Sequence, residues 1–184
     1  VQGMSYILGV VMHSCSVESQ AFWVFCQVVQ QHSLDALFTE GLPMLKLLLY
    51  CVDRMTEIKL PKLFSKFKCV GMTPFLFASP WFSSLFTYNF PECATNKIWD
   101  VFLAEGITWL LKVALAILAL KQDALLKVDD LEIMLDVLHA APATIRVETL
   151  LRKADDFDFI TAKFVCDLKS EFSHPSMDQA RTYL

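Results

Sequence analysis

The sequence predicts an all-α fold, on three observations. Apolar residues recur at spacings of three and four along most of the 184 residues, the period of a helix with one buried face. No segment alternates apolar and polar residues as a half-buried strand would. Proline and glycine fall between the apolar stretches, where they end one helix and begin the next. We therefore expect a single domain built from many helices.

The first half of the chain divides at clear boundary signals. Ser16 is expected to cap a helix that runs to about Gln31, because a serine hydroxyl accepts from the first free backbone N–H groups. Gly41 and Pro43 mark the next boundary, since proline is tolerated in a first helical turn. The helix that begins at Pro43 should end near Ile58.

Proline also sets the expected boundaries in the middle of the chain. Pro61 should begin a helix that ends near Gly71. Two short helical pieces are expected at 74–79 and 81–88, separated by Pro80, because proline interrupts the interior of a helix.

Pro91 then opens a helix that Gly106 should end. Residues 107–120 are apolar nearly all round, so we expect them to form the central buried helix. Four large aromatic side chains from the predicted helices are expected to pack in the same core: Trp23, Trp81, Phe82 and Trp99.

The last third contains two further expected helices. One is capped by Asp129 or Asp130 and ends before Pro142. The other begins near Asp155 or Asp156 and is a single amphipathic helix over 155–173. Its apolar stripe has spacings of three and four and consists of Phe157, Ile160, Phe164, Leu168 and Phe172.

Composition excludes several classes of protein. With 55% apolar and 20% charged residues, the chain is too apolar to be disordered. A net charge of −4 argues against nucleic-acid binding, which needs clustered positive potential. The longest apolar runs, 42–52 and 107–120, are shorter than the roughly 20 residues that span a bilayer, so no transmembrane segment is expected.

Cysteine usage indicates reduced thiols and a cytoplasmic protein. The six cysteines form no C-x-x-C pair, and no signal peptide is visible at the start of the sequence. His13 and Cys15 lie two residues apart, but with Cys26 and His32 they fit no zinc-ligand spacing, so no metal site is expected.

Five blocks in order carry a family resemblance. They are V-Q-G-M-S-Y at 1–6, E-S-Q-A-F-W-V-F at 18–25, A-S-P-W-F-S-S-L-F at 78–86, N-K-I-W-D-V-F-L-A-E-G at 96–106 and K-V-A-L-A-I-L at 112–118. Together they resemble the TBC domain of Rab GTPase-activating proteins, over residues 1 to about 142. The resemblance implies an orthogonal multi-helix TBC-like domain. Residues 1–184 would then be a partial TBC domain, truncated at its N-terminal side, with the 155–173 helix packed on it.

The resemblance also implies a function and one site residue. TBC domains stimulate GTP hydrolysis on a Rab-family small GTPase in vesicle trafficking, by supplying a glutamine and an arginine in trans. Of these two residues only the glutamine is carried over, as Gln2. The chain would be a GTPase activator without a substrate, metal or cofactor of its own, because GTP and Mg²⁺ belong to the partner. It would reach endomembranes peripherally, through the GTPase or through regions outside these residues.

The arginine motif of the family, I-x-x-D-x-x-R, does not occur in the sequence. The nearest match runs from Ile133 to His139 and ends in histidine. The four arginines match no catalytic position: Arg54, Arg146, Arg152 and Arg181. An arginine finger contributes about 10³–10⁵ in rate, so this chain alone should be weak or inactive.

Two other functions remain open from the residues. The main alternative is a non-catalytic TBC-like helical module that binds a GTPase or another protein without activating it. A hydrolase with its own Cys–His pair is the more distant one, since Cys15 and Cys26 lie in helical segments with no third group to orient a base.

Overall fold

The computed structural model describes residues 2–173, and this part of the chain is helical without any strand. The prediction of an all-α fold is therefore confirmed. Within the described residues there are twelve helices: α1 (Gln2–Ser14), α2 (Glu18–Gln31), α3 (Asp35–Phe38), α4 (Pro43–Lys59), α5 (Pro61–Val70), α6 (Pro74–Ser83), α7 (Glu92–Glu105), α8 (Ile107–Leu126), α9 (Leu131–His139), α10 (Ala141–Thr144), α11 (Val147–Asp155) and α12 (Ala162–Ser173).

Helix α8 is the centre of the core, as its composition predicts. Nearly every side chain from Trp109 to Leu118 is buried, and the helix continues to Leu126 instead of ending at Leu120. Helices α4, α5, α7, α9 and α11 pack around it. A helix that is apolar on all sides is stable in water only when other helices cover every side, and this is the case for α8 from Trp109 to Leu118.

The proline and glycine boundaries of α4, α5 and α7 are confirmed. Pro43 and Pro61 stand in the first turns of α4 and α5. Gly71 ends α5 with a φ of 74°, and Gly106 ends α7 with a φ of 73°. These left-handed backbone conformations favour glycine because it has no Cβ.

Helix α9 begins with a side-chain cap. Asp130 Oδ1 accepts from the backbone N–H groups of Glu132, at 2.9 Å, and Ile133, at 3.1 Å. Of the two aspartates that the sequence offers for this role, Asp130 therefore caps the helix. Asp129 instead forms an ion pair with Lys66 of α5, which joins the start of α9 to its neighbour.

The expected cap of α2 and the expected burial of its tryptophan are wrong. The helix begins at Glu18, with Val17 instead of Ser16 at the cap position, because the Val17 carbonyl accepts from both Gln20 and Ala21. Trp23 is 67% exposed. The reason is that α2 packs mainly on α1 and buries only its Ala21 and Val28 side.

Pro80 does not divide α6, contrary to the sequence-based expectation. One helix runs from Pro74 to Ser83 with Pro80 inside it, and no helix covers 81–88. Proline removes one backbone hydrogen bond of the helix. Burial of Phe77 and Trp81 on either side of Pro80 offsets that loss, because both aromatic side chains enter the core.

The expected single helix over 155–173 is also wrong. Helix α11, which the sequence did not predict, ends at Asp155, and α12 begins at Ala162. Phe157 and Ile160 lie in the connection, where short turns bring both into the core. Spacings of three and four are compatible with two turns as well as with a continuous helix, so periodicity alone does not separate the two arrangements.

The C-terminal helix of the described residues packs on α4. Leu168 is buried, the Phe172 ring lies 5.3 Å from the Tyr50 ring, and Glu171 Oε1 lies 3.2 Å from Arg54 Nε. Aromatic and apolar contacts thus attach α12 to the core, with an ion pair at their edge.

Protonation of His32 is expected to destabilise the fold. Its ring lies 4.6 Å from that of Phe102, and its Nε2 is buried with no hydrogen-bond partner among residues 2–173. Burial lowers the pKa of His32 below 6.5. The folded chain therefore binds this proton less readily than the unfolded chain. The contribution to stability is complete above about pH 6.5 and is lost as pH falls through the folded pKa.

Urea unfolding at about pH 8 and about pH 5.5 checks this prediction. The free energy of unfolding should fall on acidification, and His32→Phe, which keeps a ring beside Phe102 but cannot be protonated, should reduce the fall. An equal pH dependence in both proteins would contradict the assignment to His32.

Candidate functional site

Gln2, the one site residue that the sequence nominated, is the first residue of α1. The sequence did not predict this helix, although Ile7 and Val11 are spaced four apart and both are buried. They fix α1 against the core, so the position of Gln2 is set by the packing of the helix that follows it.

Gly3 brings the first turn of α1 against α6. A Cβ atom on Gly3 would lie 2.1 Å from the Ser83 carbonyl oxygen and 3.1 Å from Cε1 of Phe38. No side chain fits at this distance from a backbone atom. Glycine at position 3 is thus required for the close approach of the first turn of α1 to the end of α6.

The loop after α6, residues 84–91, has a strained backbone. Leu85 and Phe86 are buried and have φ values of 48° and 63°, in the left-handed region that residues other than glycine seldom adopt. Such conformations cost of order 1–3 kcal/mol each and persist where the surrounding structure holds them.

Hydrogen bonds from α7 hold this loop. Trp99 Nε1 donates to the Leu85 carbonyl at 2.9 Å, and Thr95 Oγ1 donates to the Phe86 carbonyl at 3.3 Å. The Phe86 N–H also donates to the Trp81 carbonyl at 2.7 Å. Trp99, expected only as a core residue, therefore also fixes the loop that faces α1.

A groove lies between α1 and the 84–91 loop, and we call it the α1 groove. It consists of a cavity of about 190 Å³ next to Gly3 and a cavity of about 340 Å³ that reaches His13 and Glu92. Tyr6 lines both cavities, and its ring lies 5.0 Å from that of Tyr88. His13 Nε2 and Glu92 Oε1 are 3.0 Å apart at the far end.

The structure places three of the four arginines in or next to helices. Arg54 of α4 pairs with Glu57 and with Glu171. Arg146 precedes α11 and Arg152 lies in that helix, whereas Arg181 lies outside the described residues. The nearest match to the arginine motif, from Ile133 to His139, lies within α9.

Cysteine and histidine side chains assemble no further site in the described chain. Residues 2–173 contain no group of three or more His, Cys, Asp or Glu side chains placed to hold a metal ion. Burial raises the pKa of the Cys51 thiol to about 12, which keeps it protonated and poorly nucleophilic. Among the same residues no helix is long and apolar enough to cross a membrane.

Comparison with protein families decides the assignment. The family model for the Rab-GTPase-TBC domain matches residues 1–126, which include Gln2, the α1 groove and α8. The chain belongs to the Rab-GTPase-TBC domain family. The resemblance on the five sequence blocks is thereby confirmed.

Curated relatives in this TBC family come from distant eukaryotes. GTPase-activating protein GYP5 of Saccharomyces cerevisiae is 32% identical over 126 residues, which are 68% of this chain and 14% of that protein. The Drosophila melanogaster ecotropic viral integration site 5 ortholog is 34% identical over 128 residues, 70% of this chain and 16% of that protein. The chain thus spans about one sixth or less of the length of these relatives.

A solved structure shows the same fold. The Chlamydomonas flagellar RabGAP TBC domain matches with a TM-score of 0.74 and 26% identity, over 85% of this chain and 52% of that chain. The expected TBC-like helical architecture is confirmed.

Proposed function

We propose that this chain is part of a GTPase-activating protein for a Rab-family small GTPase and that Gln2 is its catalytic glutamine. The observation that carries the proposal is the family match over residues 1–126. Gln2 is proposed as the catalytic group because V-Q-G-M at 1–4 resembles the glutamine motif of TBC domains. The chain then regulates the hydrolysis of GTP by a partner and has no substrate of its own.

The chemistry of a carboxamide suits this role. GTP hydrolysis needs a water molecule held in line with the γ-phosphate. The amide oxygen of glutamine accepts from that water, while its NH₂ group donates to a phosphate oxygen or a backbone carbonyl. Gly3 and the contact with Ser83 support the proposal, because they determine where the first turn of α1 presents residue 2.

We propose that the positive charge for the reaction comes from outside these 184 residues. A guanidinium stabilises the charge that spreads over the γ-phosphate oxygens in the transition state. Arg54 is engaged by two carboxylates, and no arginine of the sequence stands in the family motif. We propose that the full-length protein supplies this arginine and that the 184-residue chain alone is a weak activator.

The proposed partner also implies where this protein acts and which protein holds the nucleotide and the metal ion. Rab-family GTPases act at endomembranes, so we propose a cytoplasmic protein that reaches those membranes peripherally, through the GTPase or through other regions. GTP and Mg²⁺ are held by the GTPase. A net charge of −4 gives no support to nucleic-acid binding.

Substitution of Gln2 tests the catalytic proposal. Single-turnover GTP hydrolysis is measured on a panel of Rab-family GTPases with the full-length protein. Gln2→Ala should lower the stimulated rate about tenfold or more, which corresponds to about 1.4 kcal/mol of barrier. The isolated 184-residue chain should stimulate about 10³-fold less than the full-length protein, because the arginine is missing.

Gln30→Ala is the matched control, since Gln30 is an exposed glutamine in the last turn of α2. It should stimulate like the unaltered protein. Equal rates for Gln2→Ala and the unaltered protein would exclude Gln2 as the catalytic group.

A non-catalytic binding module is the second candidate, and the missing arginine motif favours it. Such a module would bind a GTPase loaded with a slowly hydrolysed GTP analogue but leave its hydrolysis rate unchanged. Binding without stimulation by the full-length protein, unaffected by Gln2→Ala, would decide for it.

A further inference from the structure

We propose that Trp99 is a positioning residue for Gln2 and that Thr95 shares this role. Both side chains of α7 hold the loop after α6, and the chain there makes two contacts with the first turns of α1. Trp99 is buried, so its effect on hydrolysis passes through the position of residue 2. The inference rests on the proposed function, because it needs Gln2 to be the catalytic glutamine.

The chain from residue 83 to residue 88 contacts α1 on both sides of its two strained residues. Before them, the Ser83 carbonyl lies against Gly3 of the first turn and leaves no room for a Cβ atom. After them, the Tyr88 ring lies 5.0 Å from the ring of Tyr6, about one turn further along α1. A change in the course of the backbone between these points therefore displaces a contact that orients the start of α1.

The backbone between the two contacts is held from α7. Leu85 and Phe86 have φ values of 48° and 63°, and such conformations persist only where the surrounding structure holds them. Trp99 Nε1 donates to the Leu85 carbonyl at 2.9 Å, and Thr95 Oγ1 donates to the Phe86 carbonyl at 3.3 Å. Both acceptor residues are fully buried, so loss of a donor favours a shift of the backbone.

Helix α7 is a firm support for these donors. It packs on the central helix α8, and its Ile98 and Phe102 side chains are fully buried. The Trp99 side chain is 5% exposed, and its ring lies 5.7 Å from that of Phe102. The indole N–H group is thus fixed relative to the core. A displacement of about 1 Å at a catalytic group can lower a rate about 10²-fold, so a fixed support matters for the reaction.

Two variants remove the donors separately. Trp99→Phe keeps a ring without the N–H group, and Thr95→Val keeps the shape of the side chain without the hydroxyl group. Trp109→Phe is the matched control, because Trp109 is 1% exposed and its Nε1 has no hydrogen-bond partner among residues 2–173. The control makes the same truncation in the core but removes no hydrogen bond to the loop.

The kcat and KM of stimulated GTP hydrolysis are measured with the full-length protein on the panel of Rab-family GTPases, and urea unfolding gives the folded fraction of each variant. We expect Trp99→Phe and Thr95→Val each to lower kcat about threefold or more, with KM changed less than about twofold, because Gln2 acts in the transition state. Trp109→Phe should lower the stability and leave kcat unchanged.

The Gln2→Ala background separates positioning from a general structural role. If Trp99 acts through Gln2, adding Trp99→Phe to Gln2→Ala lowers kcat no further. The same factor in both backgrounds would overturn the inference, because a purely structural effect does not depend on the residue at position 2. If Trp99→Phe does not fold, Thr95→Val in the two backgrounds decides in the same way.

The outcomes also distinguish this inference from the proposed function. If Gln2→Ala lowers kcat but folded Trp99→Phe and Thr95→Val proteins hydrolyse like the parent, the positioning role is wrong and the proposed function stands. A full-length protein that stimulates no GTPase of the panel, or one in which Gln2→Ala changes nothing, contradicts both proposals.

Discussion

Trp81→Ala is expected to lower the free energy of unfolding by about 3–5 kcal/mol. The Trp81 side chain is 2% exposed and lies in a row of rings, 5.5 Å from Phe77 and 6.0 Å from Phe86. Truncation would leave a cavity where α6 packs on the core, and it would remove the aromatic contacts that border the strained loop. Urea unfolding followed by circular dichroism measures the loss.

Phe75→Ala is the matched control, because Phe75 lies in the same helix but is 63% exposed. It should change the free energy of unfolding by about 0.5 kcal/mol or less. A loss of the same size for Phe75→Ala and Trp81→Ala would mean that α6 does not pack through the Trp81 face.

Gly3→Ala and Gly9→Ala, the same substitution twice in α1, should have opposite effects. At Gly3 the added Cβ would collide with the Ser83 carbonyl at 2.1 Å, so we expect a loss of about 1–3 kcal/mol. At Gly9 the Cβ meets open space, and alanine stabilises a helix interior by about 0.5–1 kcal/mol relative to glycine. The melting temperatures of the two variants should therefore move in opposite directions from that of the parent.

The Gly3 variant has a second expected consequence. Because the collision displaces the first turn of α1, Gly3→Ala should also lower the stimulation of GTP hydrolysis by the full-length protein, although Gln2 itself is unchanged. Two outcomes would contradict the close approach of α1 to α6. In the first, the Gly3→Ala protein is as stable as the parent; in the second, the separate Gly9→Ala variant loses as much stability as Gly3→Ala.

The two glycines show why a motif alone does not give the site. The sequence connected Gln2 with a function through family resemblance, and Gly3 followed it as a motif residue without a stated contact. The contact partner of Gly3 is Ser83, 80 positions further along the chain, and no local pattern predicts a contact over that separation. The α1 groove was missed for the same reason, because α1 and the 84–91 loop meet only in the folded chain.

The sequence by itself determined the features that depend on local chemistry. Pro43, Pro61, Gly71 and Gly106 set helix ends, because proline and glycine restrict or free the backbone wherever they occur. The apolar composition of 107–120 was enough to make α8 the buried helix. The motifs determined family membership and nominated Gln2.

Only the tertiary structure decided the conformation of the chain at positions where local preference and burial conflict. Helix α6 continues through Pro80, and the chain turns between α11 and α12 within an apparently unbroken stripe. Leu85 and Phe86 adopt strained conformations that local preference disfavours. In each case large side chains are buried in the core, and at Leu85 and Phe86 hydrogen bonds from α7 also offset a local cost of about 1–3 kcal/mol per residue. These long-range contacts exist only after the chain has folded.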